Sequence, residues 1–237
     1  MRYALYFTPA EHDPLTEAAS RWLGRNAFSS AEYPAPDDTE LPAGEITRLT
    51  ADPRRYGFHA TLKAPFELKD DVSEAELMGA VERFAAETPA FDIPRIVVGQ
   101  LGPFFALVPA SLHPPLQDFA AAVVEEFEPF RAPLSQADID RRKPEKLTPP
   151  QRENLNRWGY PYVMEEFRFH MTLTGPVEPE LAGPMREELD RRFAAFANRP
   201  LLVDGLAVFS ETERGAPFTI HSRLPLAPAL EHRKTAP

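Results

Sequence analysis

Apolar residues alternate with polar or small ones in short runs along this chain, and between those runs they recur every three or four positions. A period of two marks a half-buried strand, and the longer period marks one face of a helix. Arg2 to Phe7 reads as a strand, and Asp13 to Asn26 as a helix with Pro14 in its favourable first turn. Residues 27–55 are polar and proline-bearing and read as a long connection of the kind that lies over a functional cleft. Tyr56 to Leu68 forms the next strand. Ser73-Glu74-Ala75-Glu76 has the form of a capping box and opens a helix to Thr88, with Leu77, Val81 and Phe84 on one face. Two strands follow, at 93–101 and 104–109, joined by the Gly102-Pro103 turn.

The order then recurs. Leu116 to Phe130 carries Phe119, Val123 and Phe127 at helical spacing, Phe167 to Thr174 is a strand, and Glu180 to Asn198 is a helix bearing Leu181, Met185, Leu189 and Phe193. Residues 201–211 and 217–226 close the chain as a strand pair. Each half therefore reads helix, strand, helix, strand, strand, for which an internal duplication is the simplest account. Helices interleaved with hairpins predict an α+β fold whose sheets are mainly antiparallel and flanked by helices. We read residues 1–237 as a single two-lobed domain, with the first lobe's motif region at 56–109, the second's at 167–226 and an insertion at 131–166. The insertion holds the basic run Asp140-Arg141-Arg142-Lys143, a short helix at 149–158 and the phrase Gly159-Tyr160-Pro161-Tyr162. With residues 27–55 it is expected to shape a pocket. The basic run has the composition of a solvated segment and is also placed to clamp an anionic ligand.

Composition narrows the classes of function. The 27 prolines are roughly twice the usual ~5% frequency and gather at 33–42, 129–133 and 144–150, which points to stiff loops. A net charge of −10 argues against long nucleic acid, whose phosphates need a basic surface, but permits a small anionic substrate in a locally basic pocket. The absence of cysteine excludes disulfides, thiolate metal ligands and a cysteine nucleophile. No apolar run approaches the ~18 residues of a membrane span, and Met1 to Phe7 is too short and strand-like for a signal peptide. The expectation is a cytoplasmic, soluble, monomeric protein with no membrane partner.

One phrase occurs twice. His59-Ala60-Thr61-Leu62 follows Gly57-Phe58, and His170-Met171-Thr172-Leu173 follows Arg168-Phe169. In a strand each copy presents an imidazole and a hydroxyl on one face, with apolar neighbours on the other. Two histidines of ordinary pKa on opposite sides of one phosphorus atom divide the opening of a phosphodiester: one takes a proton from the attacking water, the other protonates the departing oxygen. Thr61 and Thr172 are placed to donate to the non-bridging oxygens as charge builds there. Strand alternation adds Lys63 to the face of His59, and Arg168 and Thr174 to that of His170. Tyr6, Tyr56, Tyr160 and Tyr162 are candidates to line the pocket. Which histidine is base and which acid is left open by the symmetry of the motif. No His-x-His, His-x-x-x-His or His-Glu-x-x-His occurs, so a metal site of the usual hydrolase type is not expected, and no cofactor is called for. His12, His113 and His232 read as solvent-facing, and His221 lies in the last strand without a partner phrase.

The paired phrases resemble the 2H phosphoesterase superfamily, which includes RNA 2′,3′-cyclic phosphodiesterases and 2′-5′ RNA ligase-like enzymes. The fuller strings Tyr56-Gly57-Phe58-His59-Ala60-Thr61-Leu62-Lys63-Ala64-Pro65-Phe66, Arg157-Trp158-Gly159-Tyr160-Pro161-Tyr162 and Phe167-Arg168-Phe169-His170-Met171-Thr172-Leu173-Thr174-Gly175 look like a narrower branch associated with phosphonate utilisation. The resemblance spans essentially the whole chain. It implies two lobes related by a pseudo-twofold axis, catalytic His59 and His170, and phosphate binding by Thr61 and Thr172. The phosphonate association implies a small cyclic phosphate left by carbon–phosphorus cleavage, such as a phosphoribosyl 1,2-cyclic phosphate. A short RNA end bearing a cyclic phosphate is the nearest alternative substrate. A non-catalytic module that binds a phosphorylated ligand or RNA is the alternative of a different class.

Overall fold

The computed structural model describes residues 1–229, so His232 lies outside the described residues. The chain begins with β1 (Arg2–Phe7), α1 (Pro14–Leu23), α2 (Glu45–Tyr56) and β2 (Ala60–Phe66), followed by α3 (Glu74–Glu87), β3 (Phe91–Leu101) and β4 (Phe104–Pro109). It continues through α4 (Pro114–Glu126), α5 (Gln136–Arg141), α6 (Pro149–Trp158), β5 (Met171–Thr172) and α7 (Pro179–Arg192) to β6 (Arg199–Val203), β7 (Gly205–Glu211) and β8 (Thr219–Pro225).

Local chemistry accounts for most boundaries. Asp13 accepts from the Leu15 N–H at 2.7 Å to start α1, and Gly24 ends it at φ 82°. The capping box at Ser73 and Glu76 forms as the sequence predicts. The connection at 27–55 does not remain irregular: α2 folds within it, burying Ile46, Leu49, Thr50 and Pro53. Its polar composition and internal proline mask that helical spacing. Gly57 ends α2 at φ 79°, and a Cβ there would stand 2.5 Å from that of Ala27. Glycine is thus required on two counts, immediately before the motif strand that carries His59.

The strands form one sheet of eight in the order β6-β3-β4-β5-β2-β1-β7-β8. Every pairing between these strands is antiparallel. The two motif strands meet at its centre, where Ala60 of β2 pairs with Met171 of β5. Four strands lie on each side of that seam, giving two related halves that are not contiguous in sequence. The β3–β4 hairpin follows β2 but pairs with β5, whereas β7 and β8 follow β5 but extend the half that holds β1 and β2. The division into 56–109 and 167–226 therefore does not describe the lobes. The repeating unit is instead strand, helices, motif strand, helix, strand: β1, β2 and β3, and then β4, β5 and β7, each sending its last strand to the other half, with β6 inserted before β7 as the edge strand beside β3. The run at 201–211 is correspondingly broken at Asp204, with β6 on β3 at one end of the sheet and β7 on β1 in the other half.

Helices cover one face: α4 packs on β2, α3 on β7 and β8, and α7 on β3. Alternation along β1 sorts the two faces. Tyr3, Leu5 and Phe7 join the main core with Trp22, Leu62, Leu107 and Met171. Ala4 and Tyr6 join a smaller cluster with Ala207, Phe209 and Phe218 on the opposite face. No helix among the described residues is long and apolar enough to cross a membrane.

The alternation fails in β2. Tyr6 pairs with Thr61 but Leu5 pairs with Lys63, so β2 carries one extra residue in a bulge. Beyond it Lys63 shares the helix-facing side with Leu5. Its ammonium is buried, donating to the Val124 carbonyl at 3.1 Å and pairing with Glu128 at 2.8 Å. Burial holds the Lys63 pKa below its ordinary value against the opposing pull of Glu128. Lys63 is thus a structural cation beneath the sheet, not a companion of His59.

Two stability measurements follow. Lys63→Met is expected to cost about 1–3 kcal/mol, because a helix carbonyl and Glu128 lose a buried donor; an unchanged urea midpoint would contradict the packing. Met171→Ala, at a fully buried position of the seam, is expected to cost about 2–5 kcal/mol by the same measurement.

Candidate active site

Continuing the Ala60–Met171 register places His59 opposite Thr172 and Thr61 opposite His170. Each histidine faces the other motif's threonine across the seam. His59 and His170 thus stand next to the paired residues Ala60 and Met171, close enough for His170 to act on the titration of His59.

The two rings are held in the same way. His59 Nδ1 lies 2.9 Å from the Gly57 carbonyl, and His170 Nδ1 lies 2.7 Å from the Arg168 carbonyl. A carbonyl only accepts, so Nδ1 carries the proton in each neutral ring and Nε2 is left with its lone pair. The Thr61 hydroxyl is 3.3 Å from His59 Nε2 and is the donor in that tautomer.

The surroundings of the rings differ. Tyr6 stacks on His59 with centroids 3.9 Å apart and planes 21° from parallel, and Tyr56 and Phe209 approach at 6.0 and 5.8 Å. His170 has Phe104 at 5.7 Å. The register explains the contrast: Tyr6 stands opposite Thr61, whereas the corresponding place opposite Thr172 is Ala106. Desolvation pushes the His59 pKa down to about 4, its Gly57 bond opposes the shift, and His170 lowers it further. Desolvation also lowers His170, against the pull of the Arg168 carbonyl. The ordinary histidine pKa expected from the sequence is thus not retained: burial favours the neutral form of both rings.

A cavity of about 300 Å³ opens over this face, lined by Tyr6, Tyr56, His59, Thr61, Thr172 and Tyr160 among others. His170 is not itself among the lining residues; its ring lies 5.7 Å from that of Phe104, which is, and Asp52 and Pro53 bring the end of α2 to the wall. Thr174 also lines it, with its hydroxyl occupied in accepting from the Phe105 N–H at 3.0 Å. Tyr162 does not reach the cavity: it is 46% exposed and sets its ring edge against Tyr160. Arg168 is also elsewhere, since residues 167–170 lie outside the ladder and the guanidinium turns back to the Glu165 and Phe167 carbonyls. It lines a separate cavity beside Leu101 and Phe169.

The cation that does line the central cavity is Arg142, from the basic run after α5, with Cζ 4.7 Å from the Tyr160 ring centroid. Its neighbours in sequence carry charge too, so the run alone does not single it out. The remaining described histidines lie outside the cavity. His12 is exposed, His221 pairs with Glu74 at 3.2 Å, and His113 is half-buried at the start of α4 instead of facing solvent. Among the described residues no group of three or more His, Asp or Glu side chains is arranged to hold a metal ion.

Comparison with known proteins places this site in context. The ribose 1,5-bisphosphate phosphokinase PhnN of Janthinobacterium sp. (strain Marseille) is 38% identical over 233 residues, covering 95% of this chain and 51% of that protein. The protein of the same name from Laribacter hongkongensis (strain HLHK9) is 31% identical over 220 residues, covering 93% of this chain and 50% of that protein. The chain thus spans about half the length of these curated relatives. Among solved structures, TT0787 of Thermus thermophilus aligns over 95% of this chain and 98% of its own, with a TM-score of 0.43 and 14% identity. E. coli LigT complexed with 3′-AMP aligns over 95% and 97%, with a TM-score of 0.44 and 13% identity. A family model described as "Protein of unknown function (DUF1045)" matches residues 61–219, from Thr61 of the first motif into β8. With well over half its length matched, including the whole second motif, the chain belongs to the DUF1045 family.

Proposed function

We propose that this protein is a two-histidine phosphodiesterase that opens a small cyclic phosphate ester, using its own side chains and no metal. One observation carries the reading: two imidazoles, each fixed through Nδ1 to a backbone carbonyl two residues earlier, flank the central seam of the sheet. A binding pocket for a phosphate needs cations. A pair of rings held in one tautomer, with Nε2 unprotonated on each, suits proton transfer.

In the proposed reaction His59 is the base and His170 the acid. His59 is neutral, and Tyr6 fixes its plane. Its Nε2 takes a proton from water as the water oxygen bonds to phosphorus. The bond from phosphorus to one ester oxygen of the ring breaks, and His170 gives its Nε2 proton to that oxygen. Exchange with solvent then resets both rings. Thr61 and Thr172 donate to the non-bridging oxygens. His170 must be protonated to begin, and its depressed pKa opposes this until a phosphate anion enters and favours the charged ring. Binding of the substrate thereby arms the acid.

The substrate class follows from size, charge and relatives. A cavity of about 300 Å³ lies at the small end of ligand sites and suits a sugar phosphate. The curated relatives are named for a kinase of ribose 1,5-bisphosphate, and this chain accounts for half of each. None of its 11 glycines is followed by lysine, so it carries no Gly-x-x-x-x-Gly-Lys phosphate loop. A separate step on a related ribose phosphate fits that half. Hydrolysis of a ribosyl 1,2-cyclic phosphate at the 2-oxygen leaves a 1-phosphate, and such a cyclic ester is what carbon–phosphorus cleavage in phosphonate breakdown would supply.

The test is a turnover screen of a ribosyl 1,2-cyclic phosphate, 2′,3′-cyclic nucleotides and a short RNA with a cyclic end. The cyclic sugar phosphate is expected to be cleaved best, and preference for the RNA end would move the substrate assignment. His59→Ala and His170→Ala are each expected to lower turnover by about 10²–10⁴-fold with little change in urea midpoint. Full activity in both variants would end the mechanism.

The pH dependence carries its own sign. Deprotonated His59 is lost as pH falls through about 4, so the acid limb of kcat/KM lies there. Protonated His170 is lost as pH rises, and its lowered pKa puts the other limb below the ordinary ~6.5 of histidine. In kcat that second limb moves to higher pH, because bound phosphate raises the ring's pKa. NMR titration of the free protein should find both rings Nδ1-protonated, with His59 still neutral at about pH 6, well above its lowered pKa; titration of His59 near its ordinary value would contradict the assignment.

A further inference from the structure

We infer that Arg142 is the residue that recognises a terminal phosphate monoester of the substrate, remote from the cyclic phosphate, and so sets the preference for a phosphorylated over an unphosphorylated sugar. The inference rests on the phosphodiesterase reading and concerns the far end of the same ligand.

Arg142 stands where two cavities meet. It lines the His59 cavity and also a cleft of about 150 Å³ beyond Pro65, bordered by Arg2, Asp138, Arg141 and Arg214. That cleft is walled by four arginines against the carboxylates of Glu67 and Asp138, an excess of positive charge in a protein of net charge −10. A field of that sign draws an anion to a site the overall charge would repel.

The arginines of this wall are not equivalent. Arg2 donates through Nε to the buried Glu211 at 2.6 Å. Arg214 spans Asp138 at 2.7 Å and Glu67 at 2.9 Å, and Arg141 is tied to Asp138. These bonds hold the cleft in shape. Arg142 has no ion-pair or side-chain hydrogen-bond partner among the described residues; its contact is the face of Tyr160 at 4.7 Å. Stacking leaves the edge of a guanidinium free, and that edge carries the donors that match two phosphate oxygens. Its backbone is fixed by the turn after α5, where the Arg142 N–H donates to the Ile139 carbonyl at 2.9 Å.

Position separates this cation from the scissile group. The imidazoles and threonine hydroxyls are carried by the seam of the sheet, whereas Arg142 comes from the insertion and opens onto the cleft. A ligand with its cyclic phosphate at the seam and its sugar along Tyr6 and Tyr160 presents its other end to Arg142. Ribose 1,5-bisphosphate, the compound in the relatives' name, has phosphates at both ends in this manner.

The experiment compares ribosyl 1,2-cyclic phosphate with and without a 5-phosphate, in wild type, Arg142→Gln and Arg142→Lys. Wild type is expected to favour the 5-phosphorylated ester chiefly through KM. Arg142→Gln is expected to shrink that preference by about tenfold to a hundredfold, the worth of a charge-assisted hydrogen bond, and Arg142→Lys to regain part of it. An undiminished preference in Arg142→Gln overturns the inference. So does an equal loss on both esters, which would put Arg142 on the scissile phosphate. Calorimetric titration with ribose 5-phosphate decides the point without turnover: binding to wild type that weakens in Arg142→Gln supports the site, and equal affinity refutes it. Failure of wild type to cleave either ester would count against the phosphodiesterase reading, while the calorimetry would still judge Arg142.

Discussion

Everything about the site hangs on a short antiparallel contact, Ala60 against Met171, at the middle of the sheet. Both residues are fully buried, and β5 is two residues long. Such a brief ladder holds its register only because its surroundings enforce it. Trp22 of α1 donates to the Leu173 carbonyl at 2.7 Å, the Leu173 and Thr174 N–H groups both reach the Phe105 carbonyl, and the Gly175 N–H is taken by Leu49 of α2. A slip by one residue would turn the histidines toward the helices and expose the core. The register that satisfies the hydrophobic face therefore also brings the two motifs together.

Burial then decides what those imidazoles do. A ring taken out of water resists protonation, and the aromatic enclosure of His59 makes that resistance greater than a strand surface alone would. The cost falls on the charged form, so the resting site is a pair of neutral rings with matching tautomers. The tyrosine at the place opposite Thr61, against alanine at the matching place opposite Thr172, breaks the equivalence of two otherwise similar half-sites. The unequal surroundings of the two histidines thus trace to one side chain on a neighbouring strand.

Much of this was legible in the chain. The repeated His-x-Thr phrase located both rings and both hydroxyls, the capping box at Ser73 located α3, and alternation located β1, β3 and β4. What escaped notice did so for physical reasons. Lys63 follows a bulge, and one extra residue turns it to the opposite face until a second irregularity before Phe66 restores the alternation. The short β5 is defined by what its neighbours donate, which no local pattern encodes. Helix α2 is polar with a proline inside it, so its spacing was visible but its composition argued for a loop. Arg142 sits in a run of charges, and what separates it from Arg141, its place on the central cavity and its lack of an acidic partner among the described residues, is a property of three dimensions.

The exchange of terminal strands between the two units has a bearing on ancestry and assembly. Each unit places its last strand in the other's half of the sheet, which is the topology of a domain-swapped dimer joined into one polypeptide. Two copies of a chain half this long, each lending its final strand, would generate the same central order and put one motif histidine from each on either side of a true twofold axis. A single polypeptide is free of the requirement that its two units be identical. The stacked tyrosine and the cation-bearing insertion, each present in one unit alone, are asymmetries that a true twofold dimer of identical chains could not hold.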